Sequence, residues 1–327
     1  MNQNKYVLPD EKERHLLLQS PLNGDGLMLL FEAGLIWLTT NQAYVNSLNV
    51  FPVPDGDTGT NMVLTMQAAF NEAYQLRSKN AGETAKAFAQ GALMGARGNS
   101  GVILSQIWRG FSRALDHYET MGPDLLTRAM QEARNTAYKG VVKPVEGTIL
   151  TVIKDMTSAA EEVVTTGASL SEMLLAIVEA GDVSVKNTPE LLPVLKQAGV
   201  VDSGGTGLFY IFEGMVRLLQ GQSLDASGAI LKPLAELDLA NAMETVEEGQ
   251  DYEVVIDFAP HPGFALEKYY GDLAEIGTSI QVGEGDGIYR MHIHTELAKR
   301  FEPISYTETQ GVVKKIMMEN LQDQVSE

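Results

Sequence analysis

The sequence predicts two domains of different class: an all-α bundle of about eight antiparallel helices over residues 24–220, then a small α+β domain over residues 251–327. Three observations carry this reading. Apolar residues recur at helical spacing from about residue 22 to 220, the chain changes character over 221–250, and strand-like runs follow only after that. At 327 residues, 44% of them hydrophobic, the chain has material for two buried cores.

Residues 1–23 form an N-terminal extension whose mixed, charged start lacks the apolar segment of an export signal. Helices are expected at about 24–41, 62–78, 83–94, 100–117, 123–138, 147–164, 170–186 and 205–220, with essentially no strands among them. In the fourth, Val102, Ile103, Ile107, Trp108, Phe111 and Leu115 recur in steps of three and four, which places them on one face. Gly, Pro, Asp and Asn occupy the gaps. In an antiparallel bundle with short connections alternate loops emerge at one end, so the polar loops among them can form one rim around one ligand. Residues 221–250 contain Leu, Ala, Asp, Glu and Pro233 without a sustained period and read as a linker. Strands follow at Tyr252 to Phe258, Ser279 to Val282 and Ile288 to His294. A helix at about 264–275 separates the first two, the turn Glu284-Gly285-Asp286-Gly287 joins the last two as a hairpin, and a final helix is expected at about 309–322.

Composition narrows the function. A net charge of −19 argues against a nucleic-acid surface, because phosphate backbones are bound by basic faces. The charge is uneven: from residue 209 onward there are 21 acidic and 8 basic residues, a net of −13. A nucleotide bound to so acidic a protein needs metal ions to offset repulsion. The absence of cysteine removes disulfides and thiolate metal sites and suits a reducing cytoplasm, and no apolar run reaches membrane-spanning length.

The stretch from Asn49 to Met62 is the most informative. Asp55 and Asp57 flank Gly56, which permits a turn that aims both carboxylates at one point. Mg²⁺ takes a few carboxylates and leaves its other positions to water and substrate phosphates. Pro52 and Pro54 keep the approach extended, and Thr58, Thr60 and Asn61 add polar groups at a helix start, where anions bind. The plainer alternative is an Asx-turn whose aspartates only cap the following helix. A second loop, Met94 to Gly101, brings Arg97, Gly98, Asn99, Ser100 and Gly101 before a helix and has the mechanics of a phosphate cradle. It is not a Walker A loop, since no Gly-Lys-Ser/Thr follows. The loops carrying Lys143 with Thr148, and Asp202, Ser203, Gly204 and Gly205, are weaker signals that each also read as ordinary helix caps.

Taken in order, Leu48 to Met62, Met94 to Gln106, Lys143 to Thr148 and Val201 to Gly205 resemble bacterial fatty acid kinase of the FakA type, whose first domain is similar to the nucleotide-binding L subunit of dihydroxyacetone kinase (DhaL). The resemblance covers about residues 24–218. It implies an all-helical DhaL-like barrel that binds ATP across the loops at one end, with two Mg²⁺ ions held by Asp55 and Asp57. Asn49 stands nearest to the third Asp of the L subunit. Arg97 joins the two aspartates as a candidate catalytic group, and Thr58, Thr60, Asn61, Gly98, Asn99, Ser100, Gly101, Thr148, Asp202, Ser203, Gly204 and Gly205 are expected around the nucleotide. The reaction implied is transfer of a phosphoryl group from ATP to a fatty-acid carboxylate presented by a separate FakB-like carrier, giving an acyl phosphate for phospholipid metabolism, in a cytoplasmic protein expected to be a homodimer. Full-length members continue into a third domain to which the resemblance assigns no residues here, so either a truncated or a natural short form is expected. A kinase for a small hydroxylated molecule such as dihydroxyacetone, and a non-enzymatic nucleotide- and metal-binding scaffold, are the alternatives.

In the second domain, His292 and His294 are two apart in an expected strand and so share a face, with Cα atoms roughly 6.5–7 Å apart. Family members resemble this with a His-x-His run that helps bind Zn²⁺ alongside a Cys. Here Asp251 falls near the position of that Cys, so a Zn²⁺ site with a carboxylate substitute is expected, in a different domain from the phosphate loops and structural or dimer-stabilising in role; Glu296 and Asp257 are further possible ligands. A metal-free solvent-facing or interface pair is the alternative. His15, His117 and His261 read as surface residues.

Overall fold

Most helices of the first domain start where a side chain or a proline makes starting cheap. In the computed structural model, which describes residues 10–12, 21–52, 54–224, 250–285 and 287–321, ten helices come first: α1 (Gly24–Thr40), α2 (Gln42–Ser47), α3 (Thr58–Leu76), α4 (Ala81–Gly95), α5 (Gly98–Leu115), α6 (Pro123–Lys139), α7 (Ile149–Val164), α8 (Leu170–Leu191), α9 (Pro193–Ala198) and α10 (Ser203–Leu219). Asn23, Asn80, Thr148 and Asp202 accept N-terminal backbone N–H groups of α1, α4, α7 and α10, while Ser169 and Glu172 form a reciprocal capping box on α8. Pro123 and Pro193 open α6 and α9, where a missing N–H costs nothing. Most of the extension 1–23, including His15, and nearly all of the expected linker 221–250 lie outside the described residues, as do Val53 and Asp286.

The helices pack around Phe31, Phe88, Trp108 and Phe111, whose rings meet mostly edge to face at 5.2–6.3 Å, with Phe31 and Phe88 stacked at 3.9 Å. No helix among the described residues is long and apolar enough to cross a membrane.

The second domain is a four-stranded antiparallel sheet of order β2-β3-β1-β4, from β1 (Tyr252–Pro260), β2 (Thr278–Gly285), β3 (Ile288–Thr295) and β4 (Gly311–Asn320), with α11 (Leu266–Leu273) after β1 and α12 (Glu302–Gln310) before β4. Alternation decides its two faces. Val254, Ile256, Phe258, Ile280, Val282, Met291 and Ile293 build one core with Tyr269 and Leu273. The opposite face carries Glu253, Asp257, Gln281, Arg290, His292 and His294 and presses on α4 and α5: Arg290 donates from Nη1 to the Leu93 carbonyl at 2.7 Å, and a Cβ on Gly283 would meet Gln106 at 2.2 Å.

Three expectations need correction. The final helix at 309–322 is instead the end of α12 followed by β4. Val313, Ile316 and Met317 imitate helical spacing, but pairing with β1 satisfies a full row of backbone groups, and tertiary pairing outweighs weak local preference. Helix α3 starts at Thr58 rather than 62, and α8 runs through Pro189 to Leu191 rather than stopping at 186. The short helices α2 and α9 have no counterpart among the expected elements.

Candidate functional site

The loop between α2 and α3 turns at Gly56, where φ is +68° and an L side chain would be strained. The turn brings the two acids together under Asn49, whose Nδ2 donates to Asp55 Oδ1 at 2.5 Å while its Oδ1 accepts from the hydroxyls of Thr58 and, at 3.4 Å, Ser203. The capping alternative does not hold for Asp57. It occupies the N-cap position of α3 but makes no side-chain cap bond, and the Thr60 N–H goes to Asn46 Oδ1 at 3.0 Å instead. Asp57 Oδ2 accepts from Asn61 Nδ2 at 2.7 Å. Burial, reinforced by the charge of Asp57, pushes Asp55 up to about 8. Two acids forced together without a cation are what a divalent ion relieves, so the donor set fits Mg²⁺.

A cavity of about 500 Å³ opens above this pair. Asn49, Asp55, Asp57, Thr58 and Asn61 line it from the first loop, Gly98, Asn99 and Ser100 from the second, Lys143 and Thr148 from the third, and Asp202, Ser203 and Gly204 from the fourth. Four helices, α3, α5, α7 and α10, start at its wall, and neither α3 nor α5 has an N-cap side chain bonded to its first turn. Converging helix N-termini present partial positive charge and N–H donors to an anion. Gly98, at φ +55°, lies so close to Asn61 that a Cβ would meet its amide nitrogen at 2.5 Å. Four expected residues lie outside the lining. Thr60 bonds to Gln42 and Asn46, Gly101 and Gly205 lie against Thr65 and Val152, and exposed Arg97 is 4.0 Å from Glu319.

The opposite wall belongs to the second domain, through Gln250, Glu253, Thr278, Ser279, Gln281 and His294. His294 thus reaches the cavity of the phosphate loops from the second domain. Gln281 is visible in the sequence as the polar residue between Ile280 and Val282, but nothing there says what it faces. The expected Zn²⁺ site is corrected. Asp251 turns away to accept the Leu297 N–H at 2.8 Å, Asp257 is bound by Arg290, and Glu296 sits 3.3 Å from Lys299. His292 lies with Nδ1 3.1 Å from the Ser279 carbonyl oxygen and Nε2 2.8 Å from Glu253 Oε1. Among the described residues no three His, Asp or Glu side chains converge as a metal centre. His294 is held neutral, its pKa lowered to about 3 by burial and by neighbouring His292.

Asp202 supplies a pH test. Burial raises it to about 7, against an ordinary 3.8, although the Gly205 N–H donates to it at 2.6 Å. The folded chain therefore binds a proton that the unfolded chain releases, and the stabilisation present below pH 4 is lost as pH rises toward 7. Neutral His294 acts oppositely below about 6.5, so the effect is read against a variant. In metal-free thermal unfolding between about pH 4.5 and 7.5, the wild type should lose stability relative to Asp202→Asn. Parallel pH curves would refute it.

The DAK2 domain model matches residues 52–217, and the model of the FakA-like middle domain of fatty acid kinases matches residues 249–327. An uncharacterized protein of Staphylococcus aureus (strain bovine RF122 / ET3-1) is 39% identical over 312 residues, 93% of this chain and 57% of that protein. One from Staphylococcus saprophyticus is 40% identical over 294 residues, 88% of this chain and 53% of its own length. The chain thus spans little more than half of the curated relatives it matches. A dihydroxyacetone kinase from C. freundii, solved in complex with AMP-PNP and Mg²⁺, aligns at a TM-score of 0.46 and 14% identity over 66% of this chain and 38% of that one. With a DAK2 domain over half its length and the FakA-like middle domain following in order, the chain belongs to the DAK2 family, in its FakA-like branch.

Proposed function

We propose that the protein is an ATP- and Mg²⁺-dependent kinase whose acceptor is the carboxylate of a fatty acid held by a separate binding protein. The observation that carries it is the cavity in which four helix N-termini face two crowded carboxylates. The helix ends favour phosphate, and Asp55 and Asp57 favour the divalent ion that accompanies it. Among the described residues, Lys143 is the only Lys or Arg in the lining, too little for a triphosphate by itself. Bound Mg²⁺ would supply charge neutralisation on the phosphates. The chain's own residues do the positioning: Asn49 and Asn61 orient the two carboxylates, and the loop at 97–100 presents N–H groups to the transferring phosphoryl.

A fatty-acid carboxylate suits such a site because it is ionised at neutral pH. One of its oxygens forms the new P–O bond, the bond from the γ-phosphorus to the bridging oxygen breaks, and ADP departs with that electron pair. No proton moves, so no general base is required. The middle-domain match favours this acceptor over a small polyol. We place the reaction in the cytoplasm. The test incubates the chain with Mg·ATP and either a fatty-acid-loaded carrier, dihydroxyacetone or no acceptor, trapping acyl phosphate with hydroxylamine. Hydroxamate formed only with the loaded carrier is expected. Phosphorylated dihydroxyacetone would favour the small-molecule reading, and Mg·ATP binding without turnover would favour a scaffold.

A further inference from the structure

The loop at 97–100 is held from outside its own domain. Gln281, only 5% exposed on β2, donates from Nε2 to Asn99 Oδ1 at 2.5 Å. Its Oε1 is buried without a protein partner among the described residues, and both residues line the cavity. On the adjacent strand, Arg290 donates from Nη1 to the carbonyls of Leu93 at 2.7 Å and Ala96 at 3.4 Å, at the very end of α4. Its other edge is fixed by Asp257 through two bonds of 2.6 Å. Only Ala96 and Arg97 separate the end of α4 from the start of α5, so the second domain grips the loop at its entry and beside its tip. The strand that carries Gln281 is itself pinned, since Val282 N–H donates to the Gly140 carbonyl at 3.2 Å.

We propose that Gln281 and Arg290 are positioning residues of the phosphate site, so that the site is complete only when the second domain is docked. The inference rests on the nucleotide reading above. A Gly-containing loop left to itself loses conformational entropy when it closes on phosphate, and contacts that fix it beforehand remove that cost from binding. Gln281 therefore acts on affinity through Asn99.

The test is calorimetry with Mg·AMP-PNP on the full chain as wild type, Gln281→Ala, Asn99→Ala, the double variant and Gln281→Glu, with thermal midpoints measured alongside. Each alanine variant should bind about tenfold more weakly. The double variant should bind no more weakly than Asn99→Ala alone, because the two share one interaction. Gln281→Glu keeps the size but replaces the donor to Asn99 with an acceptor and adds negative charge beside phosphate, and should lose more affinity than Gln281→Ala. Wild-type affinity in Gln281→Ala, or additive losses in the double variant, would overturn the inference alone. No binding by the wild type would overturn the nucleotide reading and this inference with it.

Discussion

Asp55→Ala and Asp57→Ala should each lower phosphoryl transfer by about 10³-fold or more, the loss expected when a metal that neutralises transferring phosphate is removed. Mg·AMP-PNP binding should weaken in parallel. Neither change should unfold the bundle, because Asp57 makes no side-chain cap bond to α3 and Gly56 keeps the turn. Without metal, Asp55→Ala should be no less stable than the wild type, since it relieves a buried carboxyl crowded by a second acid. That combination, lost activity with unharmed stability, separates a functional pair from a structural one. Calorimetry giving wild-type Mg·AMP-PNP affinity in both variants would sink the assignment.

Arg290→Ala should destabilise the chain by about 3–5 kcal/mol, the usual cost of stranding one member of a buried ion pair. Arg290 and Asp257 are 1% and 3% exposed, so solvent screens neither, and the same change leaves the carbonyl of Leu93 with only the Ala96 N–H at 3.3 Å. Urea unfolding should show a lower midpoint with the sheet domain affected first. Pairing Arg290→Met with Asp257→Leu should recover much of the loss, because apolar residues of similar volume replace a buried pair with little penalty. A double variant as unstable as Arg290→Ala would show that the carbonyl contacts, rather than the stranded charge, dominate.

How far each feature is legible depends on the distance over which it is decided. The eight long helices are readable nearly to their ends because their apolar period and their caps are local. Their starts slip where a polar segment conceals the first turn, as at Thr58, whose neighbours look like loop although the Asn61 N–H already donates to the Asp57 carbonyl at 2.9 Å. The strand Gly311–Asn320 escapes the sequence because its spacing is compatible with a helix, and only its pairing with β1 excludes one. That no third ligand joins the histidines among the described residues is equally hidden. Two residues separated by one along a strand share a face, but whether that face meets solvent, metal or another domain depends on what packs there.

By itself the sequence determined the chemistry available: two acids on a glycine turn, helix starts rich in small polar residues, an acidic chain in need of cations, and a change from helical to strand period near residue 250. Those features depend on a few neighbouring residues and on side-chain type, which a single chain displays in full. The rim of loops expected from the bundle is found around one cavity, whereas the tertiary structure alone decided that the second domain closes it with Gln281 and His294, and that Asp251 and Asp257 are spent on Leu297 and Arg290 rather than on a metal. The bonds from Gln281 to Asn99 and from Arg290 to Leu93 join residues far apart in the chain, and no local propensity or periodicity encodes them. They exist because one face of a sheet buries polar groups that must each find a partner, and the ends of α4 and α5 supply those partners.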